Sequence, residues 1–472
     1  MAETTSKMEP LSEGKGMEGQ DEPQMNIDDA NLSVGDVVPE FLGLLLPMAA
    51  YGFLMYATET INVVLIGSTG DTYALAGVGL ANMMQNCVAI SVCVGLSMGM
   101  DTLVSQAVGA GDIEATGRHL MACKMVVLVY MFVAYTVLYF SESLLILLGQ
   151  DPLVAQHAGS YNRASLCGLL FYVYVLVLRQ YLQNCWDVMP TFIITFVATL
   201  LHPIWATFLV HRLENLGLGY ANSVTWCLQA SLYVVYIFRN SDSMGLSKWT
   251  LLGIERVGFQ RCWSYLQAGV PAMVQLCSEL WFWELASLLM GYVGEVELAA
   301  QTAIVSMLYL LITPAGTIAF AGATAVGTAL GESRPTKAKK IVRLAVSLCL
   351  AYSCVTGAIL LLSREALSML YTPVAQIRAM MQSVLMFYAF AMNWETLQFV
   401  LGGLLRGMGY TTLCGVVSFV MYYVINLPVL VFLILQNADF FTMWVGMMSG
   451  SLWACCVYGY VLFQYDQTAL QG

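Results

Sequence analysis

Long apolar segments, each about as long as a membrane-spanning helix, recur along almost the whole chain. One crossing of a bilayer needs about 20 apolar residues, so each segment predicts a transmembrane helix. Together they predict an all-α polytopic membrane protein with twelve helices. The segments lie near residues 38–66, 73–100, 120–147, 160–184, 190–211, 216–238, 262–293, 298–329, 341–363, 376–405, 411–436 and 440–464.

Landmarks in the first half of the chain return in the second half at a nearly constant offset. Pro47 and Pro271 lie in the first helix of each half, and Gly109 and Gly331 close the second. Because each half holds six crossings, the halves are expected to be parallel repeats related by an axis along the membrane normal, as in secondary transporters. We therefore predict an N-lobe and a C-lobe around a central cleft, with a solute bound between them.

The polar intervals set the expected domain boundaries. Residues 1–36 contain nine acidic residues and two lysines without apolar periodicity, so this tail is predicted to be disordered. The expected units are an acidic tail at 1–36, the N-lobe at 37–239, an amphipathic linker at 240–261, the C-lobe at 262–465 and a short C-terminus at 466–472.

Composition and charge exclude a soluble protein and set an expected orientation. Hydrophobic residues make up 59% of the chain and charged residues 10%, against roughly 25% charged in soluble domains. Under the twelve-helix topology, 15 of the 19 lysines and arginines fall on one side. The positive-inside rule makes that side cytoplasmic, so both termini are predicted to be cytoplasmic, in either the plasma membrane or a vacuolar or other organellar membrane.

Acidic residues lie where the chain should cross the middle of the bilayer, and no lysine or arginine does. They are Glu59, Glu279, Glu284 and Glu395. Because an ionised acid there costs at least about 2.5–3.5 kcal/mol, such a group should face a cavity, take a proton or hold a cation. We predict a proton or cation coupling site, with aromatic faces for an organic cation at Trp281 and Trp283.

Other chemistries find no support in the motifs. The histidines and cysteines show no metal-ligand spacing, and no Walker sequence is present, so we predict no metal, no cofactor, no nucleic-acid partner and no enzyme activity. A polytopic enzyme or a scaffold without transport are the alternatives from other classes.

At several places the residues resemble the multidrug and toxic compound extrusion (MATE) transporters, particularly their eukaryotic branch. The resemblance covers both lobes and rests on four stretches, which occur in the family's order. They are LAGVGLA to GLSMGMDTLVSQAVGAG at 75–111, PAMVQLCSELWFWELASLLMG at 271–291, LAAQTA to VGTALG at 298–331, and ETLQ with GGLLRGMG at 395–409.

This resemblance implies an antiporter that exports organic cations, xenobiotics or metabolites, generally in exchange for protons. Carried over residue by residue, the coupling acids are Glu279, Glu284 and Glu395. The matched polar positions Asn86 and Gln398 are expected to bind substrate. The structural motif residues are expected to be Asp101, Gln106, Gly109, Arg406 and Gly407. We expect a monomer in the lipid bilayer.

Two departures from the family pattern keep alternatives open. Glu59 is unusual in the eukaryotic branch, so N-lobe cation binding, including sodium, remains an alternative. Leu280 replaces an aromatic residue of many plant members, so the substrate cannot be copied over, and export of a citrate-like anion or a lipid-linked substrate is a further alternative. Asp101 is expected to be a helix-end cap or loop anchor, with ion binding as the alternative, and Arg406 to serve packing and topology.

Overall fold

A computed structural model describes residues 32–68, 71–241, 244–247, 250 and 257–468. Within these residues the regular structure is helical and contains no strand. The tail up to residue 31, ten residues of the predicted linker and residues 469–472 lie outside the described residues. The expectations for those segments therefore stay predictions.

The N-lobe begins with α1, Val34–Gly67, three residues before the expected boundary. The Ser33 amide N–H donates to Asp36 over 2.7 Å, and this capping box fixes the start of the helix. Helix α2 consists of Thr72–Gln85, the π-helical segment Asn86–Ile90, Ser91–Ser97 and Met100–Gly109. It is followed by α3 at Ile113–Tyr139, a short helix at Ser141–Leu147, and α4 at Pro152–Asn184.

The turn between α2 and α3 takes few residues because its ends are well capped. Gly111 adopts a φ of 72°, which favours glycine. One residue later, Asp112 accepts a hydrogen bond from the Ala115 amide N–H over 2.8 Å. A glycine after one helix and an aspartate before the next place the reversal where the sequence predicts it.

Helical backbone runs without interruption through Met189–Asn240, but this stretch contains two antiparallel limbs. His202 Nδ1 lies 2.7 Å from Thr225 Oγ1, whereas 23 residues of straight α-helix would separate the two by about 35 Å. Gly217 also packs against the backbone of Leu209, so the chain folds back between these residues. The limbs, α5 at Met189–Leu213 and α6 at residues 216–240, match the fifth and sixth predicted helices.

The C-lobe contains α7 to α10 at Phe259–Val293, Glu295–Gly331, Pro335–Tyr371 and Ala375–Gly407. Helix α11 comprises Thr411–Phe419, the π-helical segment Val420–Asn426 and Leu427–Leu435. Helix α12 comprises Phe440–Met447 and Ser449–Thr468.

Ten of these helices, among the described residues, are long and apolar enough to cross a membrane. The two helices outside that set are α6 and α7. Helix α7 carries Glu279 and Glu284. The predicted architecture of twelve helices in two six-helix lobes agrees with this arrangement.

Each lobe has its own hydrophobic core, and a third cluster joins the lobes. The N-lobe core includes Tyr161 and Tyr233, and the C-lobe core includes Trp444. The third cluster packs Phe41 of α1 against C-lobe residues such as Ile341 of α9. The first helix of the chain therefore belongs in part to the packing of the other lobe.

Candidate functional site

Two of the predicted acids meet inside the C-lobe. Glu279 of α7 and Glu395 of α10 are 8% and 1% exposed, and they lie close enough to interact electrostatically. Neither forms an ion pair with a described lysine, arginine or histidine. Two buried carboxyl groups without a positive partner cannot both be charged at low cost, so the pair suits binding of a proton or a cation.

Polar atoms around this pair also lack partners. Within the described part of the chain, no hydrogen bond reaches Glu395 Oε2 or the hydroxyl groups of Tyr388 and Tyr422. Both tyrosines interact electrostatically with both acids. Nearly all buried polar groups in proteins are hydrogen-bonded, so these unpaired atoms have free capacity for a proton, water or cation.

Aromatic packing holds these groups in place. Phe282 and Tyr422 have ring centroids 5.2 Å apart, and Trp283 and Trp444 have theirs 5.6 Å apart. Trp283, predicted as a substrate contact, is 5% exposed and belongs to this packed core. Tyr388, Tyr422 and Trp444 are not predicted from the sequence, because no motif distinguishes them from ordinary core aromatics.

The other predicted residues of α7 and α10 lie in different surroundings. Glu284 is half-buried and interacts electrostatically with Cys87 of α2, across the interface between the lobes. Trp281 is 41% exposed, and its indole N–H donates to the Cys87 carbonyl oxygen over 3.2 Å. Gln398 is buried in α10 next to Cys455 of α12. Glu284 and Trp281 therefore lie at the lobe interface, and Gln398 lies inside the C-lobe.

An apolar cavity of about 340 Å³ adjoins Trp281 and could take part of an organic solute. Helices α7 and α11 form it, and the rings of Phe419 and Tyr423 of α11 have centroids 5.3 Å apart. Phe419 and Tyr423 are four residues apart and so share one helix face. This spacing could have identified them from the sequence, but they were not predicted. The lining comprises Met273, Val274, Cys277, Ser278, Trp281, Phe419 and Tyr423.

Glu59 is separate from the C-lobe acids and lines a polar cavity of about 40 Å³ in the N-lobe. Its carboxylate accepts a hydrogen bond from Asn82 Nδ2 over 3.3 Å. Asn86, at the start of the π-helical segment of α2, lines the same cavity. Both Glu59 and Asn86 are exposed, so this cavity is accessible from outside the lobe.

The five predicted motif residues meet where the lobes touch, a region that we call the lobe junction (Asp101, Gln106, Gly109, Arg406 and Gly407). Arg406 Nε lies 2.9 Å from Asp101 Oδ2, and both side chains are almost completely buried. Gln106 Nε2 donates to the Gly407 carbonyl oxygen over 3.1 Å. A Cβ atom on Gly109 would clash with the carbonyl oxygen of Thr328, so the backbones of α2 and α8 are in direct contact.

The pairing of Asp101 with Arg406 differs from the expected helix-end cap. Asp101 also accepts hydrogen bonds from Gln180 and Asn184 of α4, and Arg406 donates to Gln275 of α7 over 3.0 Å. A buried ion pair is stable only when further hydrogen bonds satisfy both groups, and these amides supply them. Arg406 therefore connects the lobes in addition to its expected role in packing.

Comparison with known proteins identifies this arrangement. The family model described as MatE matches residues 47–208 and again residues 271–432. The chain belongs to the MatE family. The second match begins and ends 224 residues after the first, which confirms the predicted internal repeat. MATE proteins are secondary transporters, not enzymes.

Relatives of this MATE chain cover most of its length. It is 27% identical to multidrug and toxin extrusion protein 1 of Homo sapiens, over 90% of this chain and 75% of that protein. It is also 27% identical to Protein DETOXIFICATION 16 of Arabidopsis thaliana, over 84% of this chain and 81% of that protein.

Solved structures show that the MATE fold extends over almost the whole chain. The crystal structure of the eukaryotic MATE transporter AtDTX14 superposes with a TM-score of 0.83 at 21% identity, covering 91% of this chain and 96% of that one. The Vibrio cholerae MATE transporter VcmN, in its bent form, superposes with a TM-score of 0.78 at 16% identity, covering 92% of this chain and 98% of that one.

Proposed function

We propose that this MATE transporter is an antiporter that exports organic cations or related metabolites in exchange for protons. The observation that supports this proposal is the buried pair of Glu279 and Glu395, which has no cationic partner among the described residues. A proton is the smallest cation that can neutralise a carboxyl group in so tightly packed a place. The unpaired Glu395 Oε2 is the atom that we assign to it.

Glu284 and Trp281 give the exported solute a place to interact with the same helix. Both lie at the lobe interface, and the apolar cavity beside Trp281 can hold the non-polar part of an organic cation. Aromatic faces and a carboxylate together favour a positive group. Binding a proton at Glu279 or Glu395 would reduce the negative charge near the solute and favour its release.

Alternating access requires the lobe junction to open and close. The turn between α8 and α9 lies beside it. Arg334 belongs to this turn, and Lys337 belongs to the first turn of α9. By the positive-inside rule this end faces the cytoplasm, so we propose that the structure is closed on the cytoplasmic side and that both termini are cytoplasmic. Protease or antibody access to terminal tags in sealed cells tests the orientation.

The test of the exchange is uptake of labelled tetraethylammonium into proteoliposomes with an acidic lumen, and then with a sodium gradient instead. We expect uptake with the pH gradient alone, lowered about tenfold or more in Glu279→Gln and in Glu395→Gln, within the usual range of coupling free energies. Glu142→Gln is the matched control, because Glu142 forms a partly exposed ion pair with Arg163 over 2.9 Å.

Two results contradict the proposal. If both glutamine variants take up tetraethylammonium at the wild-type rate, the C-lobe acids are not the coupling site. Uptake driven by sodium alone would replace proton exchange with sodium exchange.

A further inference from the structure

A continuous series of hydrogen bonds connects Glu59 to His202 through the interior of the N-lobe. Tyr161 Oη lies 2.9 Å from Asn82 Oδ1 and 2.8 Å from Asn222 Nδ2. Asn222 Oδ1 then lies 3.0 Å from Asn62 Nδ2, and Asn62 Oδ1 lies 2.8 Å from His202 Nε2. With the contact between Asn82 and Glu59, the series joins α1, α2, α4, α5 and α6.

Every donor in this series points toward Glu59. Asn62 donates its amide N–H to Asn222, and Asn222 donates to the Tyr161 hydroxyl. The Tyr161 hydroxyl is then free to donate to the carbonyl oxygen of Asn82, whose own N–H groups face the Glu59 carboxylate. A carboxylate accepts hydrogen bonds only, so this direction suits an ionised Glu59.

His202 terminates the series, and its tautomer decides which direction the series takes. Because Asn62 Oδ1 is an acceptor, the imidazole donates from Nε2. Its Nδ1 lies 2.7 Å from the Thr225 hydroxyl, which accepts from the Trp205 indole N–H over 2.9 Å and lies 3.0 Å from the Ala221 carbonyl oxygen. The single hydroxyl hydrogen is donated either to Nδ1 or to Ala221, and donation to Nδ1 accompanies the tautomer that donates from Nε2 toward Asn62.

Reversal of the amides would place an acceptor against the carboxylate. If Asn62 turned its N–H groups toward His202, the same change at Asn222 and Asn82 would direct the Asn82 carbonyl oxygen at Glu59. Two acceptors in contact repel each other, so the reversed series would lose its hydrogen bond to Glu59. Asn62 and His202 are 0% exposed, so water does not enter that end of the series, whereas the Glu59 end is exposed.

We propose that His202 is a positioning residue for Glu59, and that it acts through the hydrogen-bond series to keep the amide N–H of Asn82 directed at the carboxylate. The inference rests on the proposed function in that the protein is taken to transport an organic cation, and it adds that Glu59 takes part in that transport. It adds a specific partner in the N-lobe, 143 positions further along the chain, which reaches Glu59 through this series.

A double-mutant cycle on tetraethylammonium uptake in proteoliposomes tests the proposal. We expect His202→Leu to lower the uptake rate about tenfold, the size expected for a hydrogen bond to a charged group. Glu59→Gln should have a similar effect, and the double variant should be no slower than Glu59→Gln alone. Residues that act through one another are non-additive, whereas independent structural damage is additive.

A conservative variant separates positioning from folding. The amide of His202→Gln can donate to Asn62, so this variant should recover most of the uptake that His202→Leu loses. Thermal unfolding in detergent verifies that each variant is folded. His211→Leu, on the same helix α5 but exposed, is the matched control and should transport like the wild type.

Three results overturn the proposal: additive losses in the double variant, no recovery in His202→Gln, or wild-type uptake in Glu59→Gln. None of them affects proton exchange at the C-lobe, which depends on Glu279 and Glu395. Conversely, if uptake is driven by sodium, proton exchange at the C-lobe is excluded. The double-mutant cycle between His202 and Glu59 can then still be measured with the sodium gradient.

Discussion

Each lobe contains a group of buried polar side chains, and the two groups differ in how their atoms are paired. In the N-lobe, the side chains from His202 to Glu59 are hydrogen-bonded one to the next. In the C-lobe, Glu395 and the hydroxyls of Tyr388 and Tyr422 have polar atoms without partners among the described residues. The N-lobe network therefore contributes to stability, whereas the unpaired atoms of the C-lobe group lower it.

The largest predicted effect comes from breaking the connection between the two lobes. In Asp101→Leu, Arg406 stays buried without its charge partner, a change that typically costs about 3–5 kcal/mol in the free energy of unfolding. Thermal unfolding in detergent should show a strongly lowered midpoint. The double variant with Arg406→Leu should recover part of the loss, and a single variant as stable as the wild type would contradict the buried ion pair.

Tyr161→Phe should cause the next largest loss of stability, because it interrupts the N-lobe network at its centre. It leaves the facing amides of Asn222 and Asn82 unpaired, at about 1–3 kcal/mol for a buried unsatisfied group. The measurement is the same unfolding midpoint. If the midpoint stays unchanged, the N-lobe network does not stabilise the fold and the contrast between the lobes fails.

Asp439→Ala tests whether a hydrogen-bonded polar group in the C-lobe contributes to stability as the hydrogen-bonded groups of the N-lobe do. Asp439 caps α12, and its hydrogen bonds from Thr442 hold the pKa of the carboxyl below its usual range. Loss of the cap should cost about 1 kcal/mol, measured as a lowered unfolding midpoint. Because the pKa is lowered on folding, this contribution is present above the unfolded pKa of about 3.9 and disappears as the pH falls through the folded value.

The smallest effect on stability is expected for Tyr388→Phe, which removes a hydroxyl that has no partner among the described residues. The unfolding midpoint should stay within about 0.5 kcal/mol of the wild type or rise, because an unsatisfied buried group disappears. Uptake of tetraethylammonium should nevertheless fall, since the hydroxyl lies beside both C-lobe acids. A clear loss of stability would mean that the hydroxyl is hydrogen-bonded. Unchanged uptake would mean that the hydroxyl has no role in exchange.

The fold was largely predictable because hydrophobic periodicity and repeated landmarks carry it. Segment lengths located the twelve helices, and Pro47 with Pro271 marked the repeat that the family comparison confirms. The fold-back inside Met189–Asn240 was also predicted, although its helical backbone is continuous.

The site was only partly predictable, because burial and pairing depend on distant residues. The acids Glu279 and Glu395 were recognisable since charge is rare inside a membrane. Nothing in the sequence, however, indicated that Trp283 would pack in the core while Trp281 faces the other lobe. The contact of Asp101 with Arg406 spans 305 residues, and no local pattern reports such a pairing.

The position of α1 against the C-lobe also bears on how the protein is made. Lys337 of α9 lies 2.9 Å from Glu40, and 297 residues separate them in the chain. At roughly 5–20 residues per second of synthesis, the first helix waits about 15–60 s for this partner. Throughout that interval the face of Phe41 must be shielded by lipid or by the insertion machinery, so the first helix completes its packing only after α9 has been made.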